Sequence, residues 1–143
     1  MSSSNGEAVL LGDRAQGLAN YPHARKLPNG LVFISGISSR RPDNTWEGVE
    51  SQPDGTFKLD ISKQTRAVIQ NIEAILKASG GGLQNLVDLT VFLVDMADYN
   101  RFNAVYNEFF PDALKGPSRT TVAVKQLPNP RLLIEIKSTA YII

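Results

Sequence analysis

Residues 60–79 constrain the fold more than any other stretch. Ile61, Thr65, Val68, Ile69, Ile72, Ile75 and Leu76 recur at helical spacing and share one face. Asp60 is placed to cap the first turn, and Gly80-Gly81-Gly82 ends the helix. A helix with one apolar stripe must bury it against another layer. Leu86 to Val94 (Leu-Val-Asp-Leu-Thr-Val-Phe-Leu-Val) reads as a central strand that offers such a surface. Asp95 can cap a second helix running to about Phe110, where Pro111 prevents continuation. Tyr99, Phe102, Val105, Tyr106 and Phe109 form its apolar stripe, a spacing typical of core rather than of a base-stacking platform.

Strands account for the rest. Ala8 to Leu11 is a short apolar run. Ala24 to Leu27 and Leu31 to Ser35 flank Asn29-Gly30, a strong hairpin signal that calls for positive φ at both turn positions. Residues 119–125 and 134–137 read as two short strands facing each other across a Pro-rich turn. The order is strand, strand, strand, helix, strand, helix, strand, strand. It predicts one α+β domain over residues 8–143, with two helices on one face of a mixed sheet and a flexible tail over residues 1–7. The other face needs a cover, which Tyr141-Ile142-Ile143 and several mixed strand faces assign to another subunit.

The chain has no cysteine, which excludes disulfides, thiolate nucleophiles and Cys-ligated zinc. His23 is the single histidine, so one chain offers no His-x-x-His metal pair, and no Gly-x-Ser-x-Gly elbow accompanies it. No metal site is expected. Fifteen basic against fourteen acidic residues give a net charge of +1, with no electrostatic case for nucleic acid or membrane. No apolar run approaches membrane-spanning length, and the first residues lack signal-peptide character, so the expected compartment is the cytoplasm. The available chemistry is that of carboxylates, guanidinium groups, hydroxyls, backbone amides and water.

In the C-terminal pair of strands, Val122 and Val124 alternate with polar or small residues, as do Ile134 and Ile136. Period-two geometry puts Arg119, Thr121, Ala123 and Lys125 on one face, and Glu135 with Lys137 opposite the isoleucines. Two readings stand. A guanidinium and a carboxylate on adjoining strands can hold an anionic substrate and a water, or they are an ion pair on a sheet edge. Tyr21, Ser35, Gly36 and Ile37 are further candidates, glycine allowing close backbone approach to a ligand, or else marking a simple bulge. His23 is read as a locally hydrogen-bonded or exposed loop residue. Residues 38–60 form a long irregular segment carrying Arg40, Arg41, Trp46 and the turn Pro53-Asp54-Gly55; its arginines are either an anion site or solvated charges.

Ser-Arg-Thr-Thr-Val-x-Val-x-x-Leu-Pro followed by Ile-Glu-Ile resembles the C-terminal signature of the RidA/YjgF family of enamine/imine deaminases. Gln64-Thr65-Arg66, the strand around Thr90-Val91-Phe92-Leu93, and Asp98-Tyr99…Asn103-x-Val105-Tyr106-x-x-Phe109-Phe110 match other family motifs in order. The likeness runs from Tyr21 to Ile136. It departs at Ile37, where glutamine is usual, by one extra residue between Leu127 and Ile134, and at Lys137, where a second glutamate is usual. It implies a chorismate-mutase-like subunit, a homotrimer with active sites between subunits, and no cofactor. It also implies a carboxylate-binding role for Arg119, a water-handling role for Glu135, and ligand contacts from Tyr21, Ser35, Gly36, Ile37 and Asn103. The long Arg40-Arg41 segment, Asn20-Tyr21-Pro22-His23 and Lys137 resemble the subgroup acting on 2-aminomuconate, an enamine dicarboxylate. Arg40, Arg41 and Lys137 are then candidates for the second carboxylate. The alternatives are deamination of 2-aminoacrylate-type imines, a non-catalytic ligand-binding or regulatory trimer, and RNA cleavage.

Overall fold

The computed structural model describes residues 2–143. Helix α1, Ile61–Ala78, forms where the periodicity places it, and the Asp60 carboxylate accepts a hydrogen bond from the Lys63 amide at 3.0 Å. Its apolar stripe packs on a seven-stranded sheet. The strands are β1 Ser2–Ser3, β2 Gly6–Val9, β3 Ala24–Lys26, β4 Leu31–Ile37, β7 Leu86–Leu93, β8 Ser118–Ala123 and β9 Ile134–Tyr141. Their order across the sheet is β1-β2-β3-β4-β9-β7-β8. All pairs are antiparallel except β7 with β8. A separate hairpin, β5 Val49–Ser51 with β6 Phe57–Leu59, turns at Gly55 with φ +84°. Helix α2, Tyr99–Phe109, also covers the sheet, and α1 and α2 pack together.

Val32, Ile34, Leu89, Val91, Leu93, Ile134, Ile136 and Ala140 point at the helices and are buried. The alternate residues face away from them. Phe33, Val122 and Tyr141 lie on that open face, each more than a third exposed.

Several elements differ from the sequence reading. Residues 2–7, read as tail, supply β1 and the start of β2, where Ser2 and Ser3 pair with Glu7 and Gly6. Asp95 caps a short 3-10 turn, Met96–Asp98, and α2 begins only after it. In the β3–β4 turn only Gly30 has positive φ, +97°; the Asn29 side chain instead accepts from the Leu31 amide. The largest difference concerns the C-terminal strands. They do not face each other: β7 lies between β8 and β9, and the chain from β8 crosses over β7 before entering β9. The parallel β7–β8 pair is joined through α2, and the more apolar β7 takes the inner place between β9 and the edge strand β8.

Candidate active site

The insertion of β7 separates the two most prominent site candidates. Arg119 is in register with Leu89, and Leu89 with Ser138. Directly paired residues project to the same face, so Arg119 lies on the helix side. Glu135 is in register with Phe92, and Phe92 with Val122, which puts it on the open side. Two strand spacings and three residues along the strand set their backbones about 14 Å apart. Arg119 and Glu135 of one chain therefore do not form a joint site, nor an edge ion pair, contrary to both sequence readings.

Arg119 is held by α2. Its guanidinium stands 4.6 Å from the Tyr106 ring centre, 5.0 Å from Phe102 and 5.8 Å from Tyr99, and donates to the Tyr99 hydroxyl at 3.1 Å. Three rings at this distance attract a cation through their quadrupoles and fix the plane of the fork. Asn103 follows Tyr99 by one turn and precedes Tyr106 by another, so it borders the same cluster. Thr121 projects from β8 on the Arg119 side, its hydroxyl buried without a hydrogen-bond partner. Desolvation raises the pKa of the Tyr106 phenol, while the adjacent Arg119 charge works against the rise.

Glu135 belongs to a different place, a cavity of about 480 Å³ at the end of β4 and β9. Tyr21, His23, Ser35, Gly36, Ile37 and Arg40 also line it. The pairing of β4 with β9 shifts register between Ile34 and Ile37, so a bulge brings Gly36 against Glu135. A side chain at position 36 would sit inside contact distance of the Glu135 Oε1 and 3.1 Å from its Cδ. The bulge reading of Ser35-Gly36 holds, and the close approach that glycine allows here is that of the Glu135 side chain. Burial pushes the Glu135 pKa above the ordinary glutamate value, and no lysine or arginine among the described residues lies within 4.0 Å of it.

The walls are fastened by short polar contacts. The Ser35 hydroxyl donates to the Pro22 carbonyl at 2.7 Å and its amide to the His23 carbonyl at 3.0 Å. His23 is buried. Its Nδ1 accepts from the Leu11 amide at 3.2 Å and its Nε2 meets the Ala15 carbonyl at 2.8 Å, which assigns the Nε2–H tautomer and a structural task to the ring. The Tyr21 hydroxyl accepts from the Leu18 amide. On the other side, Arg131 stacks 4.8 Å from Trp46 and 4.2 Å from Phe57, docking residues 46–57 onto the turn that precedes β9. Buried Gln64 secures that turn, donating to the Arg131 carbonyl at 2.8 Å and accepting from the Leu133 amide at 2.9 Å.

Among the sequence candidates, Tyr21, Ser35, Gly36, Ile37, Arg40 and Glu135 come together here, while Arg119 sits apart against the α2 rings, with Asn103 on the same helix. Arg41 joins neither. Its guanidinium pairs with Glu47 at 2.9 Å and donates to Thr45 on the exposed side of the loop. The Lys137 ammonium donates to the Ile34 carbonyl at 2.6 Å and does not line the cavity. Sequence reasoning missed Arg14, Asn71 and Asn129 as cavity residues. Arg14 stands in a loop without a motif, and Asn71 on a helix assigned wholly to packing. No cluster of three or more metal-ligating side chains occurs among the described residues, and no described helix is long and apolar enough to cross a membrane.

The sequence model of one protein family, described as Endoribonuclease L-PSP, matches residues 12–142. A RutC family protein of Pyrococcus horikoshii is 45% identical over 135 residues, covering 94% of this chain and 97% of the relative. The protein named 3-aminoacrylate deaminase RutC from Acinetobacter baylyi is 38% identical over 125 residues, covering 87% and 89%. The crystal structure of the YjgF gene product of E. coli superposes with a TM-score of 0.77 at 26% identity, covering 95% of this chain and 98% of that one.

Proposed function

The chain belongs to the RidA/YjgF family, and on that footing we propose that it is a cofactor-independent hydrolytic deaminase. Its substrate is an unsaturated enamine or imine dicarboxylate of the 2-aminomuconate kind. The setting is cytoplasmic catabolism of aromatic compounds in a bacterium, with 4-oxalocrotonate and ammonia as products. The observation that carries this reading is the carboxyl of Glu135, pressed against Gly36 in a cavity and, among the described residues, without a cationic partner.

The chemistry follows from that carboxyl. Protonation at carbon converts the enamine to its imine. Water held by Glu135 attacks the C=N carbon, and the carboxylate takes the proton that water releases. A base whose proton affinity has been raised by burial accepts it more readily than an exposed glutamate. Glu135 returns that proton to nitrogen to give the carbinolamine, then relays the carbinolamine hydroxyl proton to nitrogen as the C–N bond breaks, so that ammonia departs and a ketone remains. The balance is one imine and one water in, one ketone and one ammonia out.

The carboxylate next to the reacting carbon needs a bidentate partner to fix it. We assign that role to Arg119, with Asn103 at its side, supplied by a neighbouring copy of the chain. This assignment rests on the separation of the two clusters within one chain and on the open sheet face carrying Phe33, Val122 and Tyr141. A homotrimer with a site in each of its three clefts accommodates both. Ser35, Gly36 and Ile37 border the reacting atoms, and Tyr21 closes the cavity edge.

A second reading takes a short monocarboxylate enamine of the 2-aminoacrylate kind as substrate; the name of the Acinetobacter relative, 3-aminoacrylate deaminase, is that of another short monocarboxylate enamine. Ammonia release from 2-aminomuconate and from 2-aminoacrylate, each generated in place by an upstream enzyme, separates the two. Release above background with the dicarboxylate, lost in Arg119→Ala, is expected. Release with 2-aminoacrylate alone would replace the first reading by the second. Background rates with both would leave a non-catalytic ligand-binding trimer.

A further inference from the structure

The cavity around Glu135 holds two arginines, Arg14 and Arg40, and they differ in how far they are satisfied. The Arg40 guanidinium donates to Asn44 Oδ1 at 2.9 Å and to the Gln16 carbonyl. It is already used in tying the loop at 14–17 to the segment at 40–44. Arg14 has a single side-chain contact, from Nη1 to Asn71 Oδ1 at 3.5 Å, the outer limit of a hydrogen bond. Its Nε is buried with no partner. Among the described residues neither arginine has a carboxylate within 4.0 Å, although Glu135 lines the same cavity.

A buried guanidinium N–H left without an acceptor is costly, and an arriving carboxylate would satisfy it. The Nε–Nη edge, unpaired at Nε, is the edge that grips a carboxylate with two parallel hydrogen bonds. Asn71 explains why the group is held in this position. It projects from α1, accepts from Arg14, and donates to the Ser38 carbonyl at 2.9 Å and the Arg40 carbonyl at 3.4 Å. One helix side chain thus sets both the arginine and the loop that walls the cavity.

We propose that Arg14 is the residue that receives the carboxylate of the substrate distal to the reacting carbon, with Arg40 shaping the wall beside it. This rests on the deaminase reading for the identity of the substrate, but not for the existence of the anion site. It replaces Arg41 and Lys137, whose charged groups are engaged elsewhere, as the element selecting a dicarboxylate.

The test pairs kinetics with binding of an unreactive probe, cis,cis-muconate, followed by calorimetry on the full chain. Arg14→Ala and Arg14→Lys are compared with wild type and with Arg41→Ala, after confirming an unchanged thermal midpoint. Arg14→Ala is expected to raise KM for 2-aminomuconate, and Kd for muconate, by about tenfold or more. Arg14→Lys should fall between, kcat should change little, and any turnover of 2-aminoacrylate should be untouched. Equal losses on both substrates, or muconate binding indifferent to Arg14, overturn the proposal even if dicarboxylate turnover stands. Arg14-dependent muconate binding without turnover upholds the anion site and removes the deaminase reading instead. Wild type that neither binds muconate nor turns over the dicarboxylate removes both.

Discussion

Arg119 and Glu135 occupy contrasting surroundings. The guanidinium is packed among three rings, hydrogen-bonded to Tyr99, and set on the helix side of an edge strand. The carboxyl stands in a cavity two strands away on the opposite side, with its pKa raised and no lysine or arginine of the described residues within 4.0 Å. The first is a guanidinium fixed among aromatic rings, and the second a carboxyl facing a cavity. The contrast teaches that the two groups do not meet within one chain; under the shared-site proposal each is one half of a site. The open face carrying Phe33, Val122 and Tyr141 is where copies would join them.

The largest effect should come from the cavity half. Glu135→Gln keeps the shape of the side chain but removes the base, and is expected to lower kcat about 10²- to 10⁴-fold, with the far-ultraviolet spectrum unchanged. A loss of only a few fold would demote Glu135 to a water anchor.

Gly36→Ala sharpens the contrast next. The new Cβ meets the flexible end of Glu135 rather than backbone, so the carboxyl is displaced at little cost to the fold. Activity is expected to fall on the order of tenfold or more, since small misplacements at the reacting atoms are expensive. The melting temperature should move by only a few degrees. Full activity in this variant would contradict the assigned position of the base.

The pH profile isolates the environment of Glu135. The carboxylate form is the working base, so activity should fall as pH drops through its raised pKa, an acid limb above the ordinary glutamate range. The stability sign is opposite. With the folded pKa above the unfolded one, the native state binds more protons in the window between them. Stability conferred by this group is therefore present below the unfolded pKa and lost as pH rises through the folded value. Denaturant titrations should show that slope in wild type and not in Glu135→Gln.

The smallest effect is expected at Arg41. Its pair with Glu47 is exposed, so Arg41→Ala should cost about 0–1 kcal/mol and leave KM unchanged. A raised KM would return Arg41 to the list of binding groups.

Much of this was legible in the sequence. The Ile and Val spacing of α1 with its Asp60 cap, the apolar runs of β4 and β7, and the turn at Gly55 all rest on local periodicity and turn chemistry. The cavity residues Tyr21, Ser35, Gly36, Ile37 and Glu135 came from motif resemblance, and the fold gathers them. What failed was strand adjacency. Two strands linked by a short Pro-rich turn look like a hairpin, and only the apolar demand of the sheet centre puts β7 between them. Arg14 and Asn71 were invisible because their meaning comes from a contact 57 residues apart in sequence. The pairing of Arg41 with Glu47 was equally hidden, since adjacent arginines carry no sign of which one faces the cavity.

The claim that the site is shared between copies is tested most directly by mixing inactive variants. Arg119→Ala and Glu135→Gln chains, unfolded together and refolded in equal amounts, should regain activity. In a ring of three, about a quarter of the clefts would then carry an intact Glu135 facing an intact Arg119. Recovery near that fraction of wild type is the predicted result. A mixture that assembles normally but stays as inactive as its components would contradict the shared site and require both residues to act within one chain.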